Sequence, residues 1–143
     1  MIDKIGHSKF LKQGNHLVLL YEITEEMVNI ISEYIIASLL RNEKCLYVDS
    51  DEDKALILDS IHEKINPEKY LENEQLLFLS KSNACSEGGE FIPDKMIALL
   101  KEMSLKAIDE GYDGIAITDE LSWVLEYGDG IERIIEYEWK LVE

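Results

Sequence analysis

Residues 111–126 read GYDGIAITDELSWVLE, and the fold turns on how this stretch is understood. The apolar run Ile115, Ala116, Ile117 follows Gly114 and ends in Thr118, Asp119 and Glu120, with Ser122 and Trp123 close behind. A run this short, bounded by glycine on one side and acids on the other, predicts a buried strand opening into a loop or helix. In open α/β sheets ligands sit outside the carboxyl ends of the strands, so a site is expected at Asp119 and the residues after it.

Working outward, the same kind of run recurs between helical patterns. Residues 16–22, HLVLLYE, predict a central strand. Thr24 is expected as the N-cap of a helix whose buried face is Met27, Ile31, Tyr34, Ile35 and Leu39. Residues 44–49, KCLYVD, form a second strand, followed by a helix with Ala55, Leu58, Ile61 and Ile65 inward, ended near Pro67. Residues 75–80, QLLFLS, form a third. Residues 81–92, centred on Gly88 and Gly89, are expected to be a mobile loop.

Pro93 at a first helical position and Gly111 at C′ frame a helix with Met96, Leu99, Leu100, Met103 and Ala107 inward. After the fourth strand come a helical segment over 121–127 and a last amphipathic helix over 131–142. Strands alternating with helices imply a three-layer α/β domain, its mainly parallel sheet covered on both faces. Residues 1–15 form a polar lead-in and residues 16–143 a single domain. The alternation predicts one more strand after the last helix; its absence means that the chain is a piece of something longer or that a partner completes its edge.

At 143 residues the chain buries roughly two-thirds of its unfolded surface. No apolar run reaches the roughly 20 residues of a membrane span, and residues 1–16 lack a signal peptide's apolar core. Two cysteines, Cys45 and Cys85, make no disulfide framework, so a reduced, cytoplasmic protein is expected. Fourteen basic residues against thirty acidic ones leave a net charge of -16, which repels a nucleic acid. No membrane partner is expected either.

Chemistry is narrowed residue by residue. The first strand-to-helix turn, Tyr21-Glu22-Ile23-Thr24-Glu25-Glu26, has neither the glycines nor the lysine of a phosphate-binding loop. Its glutamates already complement the helix dipole and would repel a phosphate. His7, His16 and His62 share no metal-ligand spacing. Asp119 and Glu120 could hold a hard cation together with Glu22, or act as solvated loop acids and caps. Ser122 lacks a nucleophile elbow, and neither cysteine has a paired histidine. No catalytic set emerges, and no cofactor is expected. Trp123 either stacks on a ligand or anchors helices against the sheet, and Tyr21, Tyr47 and Tyr127 share that ambiguity.

HLVLLYE, NEKCLYVDSDED, the helix opening at Pro93, GYDGIAITDELSW and IIEYEWKL together resemble the MEDS family, the DcmR-type sensory domain of methanogens and methylotrophs, over residues 14–142. The resemblance implies a RecA/KaiC-like fold without a functional P-loop, Asp119 standing where such ATPases keep the acid that supports magnesium. It implies a sensor of small hydrocarbon derivatives or methylated compounds, feeding a transcriptional regulator or a kinase. His16, Tyr21, Asp119, Ser122 and Trp123 occupy characteristic positions of the pattern. Ala116 stands where relatives commonly carry an arginine, and Ile92 where an aspartate often caps the helix.

The expected ligand-binding set is therefore His16, Tyr21, Glu22, Asp119, Glu120, Ser122 and Trp123. The acidic rim of Glu22, Glu25, Asp119 and Glu120 favours a neutral or cationic ligand. The alternative is a protein-interaction module, docking a regulatory partner or a second copy through Ile131, Ile135, Trp139 and Val142, a stripe that could equally face the core.

Overall fold

The computed structural model describes residues 24–49, 51–80, 86–87, 90–119 and 129–141. The elements in order are α1 (Thr24–Leu40), β1 (Glu43–Asp49), α2 (Asp51–His62), α3 (Glu68–Glu72), β2 (Leu76–Ser80), β3 (Ser86–Glu87), β4 (Glu90–Phe91), α4 (Pro93–Asp109), β5 (Gly114–Asp119) and α5 (Gly130–Leu141). The expected strand at 16–22 and helix at 121–127 lie outside the described residues.

Strand β1 is the axis of the sheet. It pairs in parallel with β2 on one side and β5 on the other, giving the order β2-β1-β5. Successive side chains of a strand point to opposite faces, and β1 is apolar on both. Cys45 and Tyr47 join a core with Met27, Ile35 and Leu39 of α1 and Ile57 and Ile61 of α2. Leu46 and Val48 join a second core with Met96 and Met103 of α4 and Tyr137 of α5. Each such side chain gains roughly 1.5–3 kcal/mol on leaving water, so both helical layers are held to the same strand. The three-layer α/β architecture with a parallel sheet is what the alternation of elements implies.

Helix α4 shows how local sequence sets its ends. Ile92 stands at the N-cap in extended backbone with no side-chain cap, and Pro93 occupies the first turn, where its missing N–H costs nothing. At the other end Gly111 takes φ +95°, letting the N–H of Gly111 reach the Ile108 carbonyl at 3.0 Å and that of Tyr112 the Ala107 carbonyl at 3.0 Å. These two bonds satisfy carbonyls that the helix end leaves open. Asn42, also at positive φ, turns α1 into β1, and its carbonyl accepts from the Asp113 N–H at 3.0 Å. The turns that launch β1 and β5 are thus tied to each other.

Three local expectations are corrected. Residues 81–92 are not irregular throughout: Ser86–Glu87 and Glu90–Phe91 pair antiparallel. In α2 the inward face includes Ile57, fully buried, whereas Ala55 is exposed. Thr24 lies inside α1 rather than ahead of it as a cap. No helix among the described residues is long and apolar enough to cross a membrane.

Candidate functional site

The parallel register brings the last residues of three strands to one edge. Val48 is opposite Asp119, and Asp49 is opposite Ser80. A 17-residue helix is about 25 Å long and a seven-residue strand about 23 Å. Helix α1 enters β1 at the amino edge and packs on it, so its first turn, with exposed Glu25 and Glu26, comes back toward the carboxyl edge.

Asp119 is partly buried there, and its Oδ2 accepts a hydrogen bond from the Tyr137 hydroxyl at 2.9 Å. Tyr137 is itself fixed. It is 2% exposed, and its ring meets Phe91 edge-on, with centroids 5.4 Å apart at 83°. Arg133, one turn earlier on α5, donates through Nη1 to the Phe91 carbonyl at 2.6 Å and through Nε to Asp129 Oδ2 at 2.7 Å. The hairpin strand β4, the end of β5 and α5 therefore form one locked corner. Lys54, in the first turns of α2, lies 5.5 Å above the Phe78 ring of β2.

Of the expected ligand set, Asp119 is placed at this edge. His16, Tyr21, Glu22, Glu120, Ser122 and Trp123 lie outside the described residues, as does Tyr127. Tyr47 is decided: it is a core residue, 2% exposed, its ring tilted against Phe78 at 5.7 Å. Tyr137 is the partner that sequence reasoning missed. Its spacing with Ile134 marks an inward stripe on α5, but nothing in the residue types ties it to an acid 18 positions earlier. Among the described residues no group of three or more His, Cys, Asp or Glu is placed to hold a metal ion.

The opposite, amino edge holds a buried polar cluster of a different kind. The Lys44 side chain is fully buried, with Nζ 2.6 Å from Glu110 Oε1 at the end of α4. Arg41 pairs with Glu43 at 3.1 Å, and Gln75 Nε2 donates to the carbonyls of Leu39 and Glu43 at 3.2 and 3.0 Å. Burial pushes the Cys45 thiol up, with help from the Glu43 carboxylate, and the Tyr34 phenol up to about 12, mainly by burial and then by Cys45 and Glu43. A thiol so disfavoured as thiolate is no nucleophile. Among the described residues this edge joins elements and presents no reactive group.

The domain is thus a three-layer α/β fold whose strand end at Asp119 is tethered by Tyr137. The chain belongs to the MEDS family, described as the methanogen/methylotroph DcmR sensory domain, whose profile matches residues 15–143. Neither the curated proteins nor the solved structures contain a match. Membership assigns a signal-input role to the domain.

Proposed function

We propose that the domain is a non-catalytic cytoplasmic sensor that binds a small neutral or cationic molecule, a methylated amine or a related hydrocarbon derivative, at the carboxyl edge of its sheet. The observation that carries this reading is the Asp119 carboxylate, held by Tyr137 at the end of β5. The hydroxyl holds this carboxylate at the carboxyl end of β5, the edge where ligands of open α/β sheets bind. Acids at the first turn of α1 add to the negative field, which attracts a cation and repels phosphates and carboxylates. The residues expected to complete the pocket are Tyr21, Ser122 and Trp123, with His16, Glu22 and Glu120 around them. Ligand occupancy would be passed on to a transcriptional regulator or kinase.

Thermal shift and tryptophan fluorescence against methylated amines, thiols and halomethanes test this. A ligand at a hundred times its Kd adds about 2.7 kcal/mol to stability, a readily measured rise in Tm. The rise is expected for at least one methylated amine and should vanish in Asp119→Asn. Silence across the whole panel, with Trp123→Phe indistinguishable from the unmodified chain, would sink the reading.

A further inference from the structure

Helix α5 carries two apolar seams on opposite sides. Ile134 and Tyr137 face the sheet, while Ile135 and Trp139, one turn apart, are 61% and 69% exposed. A single exposed apolar side chain is ordinary. An isoleucine and a tryptophan at i and i+4 form a ready-made stripe, and tryptophan is the residue most enriched among energetic anchors of interfaces.

The charges beside that stripe say what fits it. Glu132 and Glu136, each three residues before one of the apolar pair, are exposed. Of the two cations of the helix, Arg133 is held by Asp129 and the Phe91 carbonyl, and Lys140 is shared between Asp94 and Glu136, one cation for two acids. The outer face is thus apolar with an acidic margin. The other exposed apolar pair, Leu105 and Ile108 on α4, has Lys101, Glu102, Lys106 and Asp109 around it and favours no sign of charge. A second copy is a poorer occupant of α5, because it would bring a further -16 to a chain that already carries that charge.

We propose that the outer face of α5 docks a cationic amphipathic helix of a partner protein, seating Ile135 and Trp139 in its apolar seam and pairing Glu132 and Glu136 with its lysines or arginines. The inference is independent of the small-molecule reading: a silent ligand panel leaves it standing, and its own failure leaves that reading untouched.

The probe is a fluorescein-labelled leucine/lysine helix of about 18 residues, five turns, with its leucines on one face. The control is a scrambled peptide of the same composition, which keeps the charge and loses the seam. Anisotropy titration of the whole chain should show the ordered peptide binding at least about tenfold more tightly. Trp139→Ala, checked by circular dichroism, should abolish that preference, and Glu132→Gln/Glu136→Gln should weaken binding and flatten its salt dependence. Equal affinity for both peptides, no binding of either, or undiminished preference in Trp139→Ala overturns the proposal. So does light scattering that finds a dimer which Trp139→Ala disperses, since the face would then belong to a second copy.

Discussion

Two backbone positions and one phenol give the sharpest tests at the scale of the residue. Gly111 sits at φ +95° and a Cβ added there meets nothing within 4 Å. The cost of Gly111→Ala is therefore conformational alone, about 1–2 kcal/mol, and should appear as a lower urea midpoint with unchanged slope. Glu74, at φ 63° just past α3, is the converse case. Glu74→Gly removes the strain of a side chain in the left-handed region and should raise the stability by up to about 1 kcal/mol, seen as a higher urea midpoint. Tyr34 supplies the pH test. Its folded value of about 12 lies above the ordinary 10.0, so its stabilising effect is complete below pH 10. Between pH 10 and 12 the unfolded chain loses this proton while the folded one keeps it, and stability falls. Tyr34→Phe should flatten that fall in pH-dependent urea melts, leaving the part contributed by Cys45, which burial shifts in the same direction. Gly111 was legible in the sequence, because glycine after a helical pattern has a specific use. Glu74 was not, because no residue type announces a left-handed glutamate.

Between elements, the contact most open to a directional test is the one joining β1 to the end of α4. Lys44 is fully buried and Glu110 is about one-third exposed. Breaking such a pair by removing one partner leaves the other charge uncompensated, at a typical cost of 3–5 kcal/mol, whereas an apolar side chain of similar volume can restore much of it. Because Glu110 reaches solvent and Lys44 does not, the two substitutions should differ in a known direction. Glu110→Ala strands a buried ammonium and is expected to cost about 3 kcal/mol; Lys44→Met frees a carboxylate that water can solvate and should cost clearly less. Chemical denaturation of both variants checks the order, and equal losses would contradict it. Neither partner stood out in the sequence, since a lysine opening a strand and a glutamate ending a helix are both commonplace. The same limit hid Phe91. In a glycine-rich stretch it read as loop, yet it is 1% exposed, packed under Tyr137 and presenting its carbonyl to Arg133.

Over the whole molecule charge is the dominant unbalanced quantity. Thirty acids face fourteen basic residues, so most carboxylates repel one another without a paired cation. Raising ionic strength from about 0.01 M to about 0.15 M shortens the screening length from about 30 Å to about 8 Å. Relief of repulsion should outweigh the weakening of the few surface pairs, and Tm should climb over that range in differential scanning calorimetry. A flat or falling Tm would mean that local ion pairs govern. The sequence by itself determined the layers, because alternating strand and helix patterns, with strands apolar throughout, admit only a sheet covered on both faces. It also put Asp119 at a strand end and ruled a phosphate loop out of the first turn, since both follow from residue types at adjacent positions. Only the tertiary structure decided what those residues meet: Tyr137 on Asp119, Lys44 on Glu110, Phe91 beneath α5. It also decided which of the two apolar stripes of α5 faces the core, the one through Tyr137, leaving Ile135 and Trp139 outside. The physical reason is the same each time. Periodicity and propensity act between neighbours in the chain, whereas these contacts join residues 18 to 66 positions apart, and their geometry exists only once the sheet has brought the ends of its strands together.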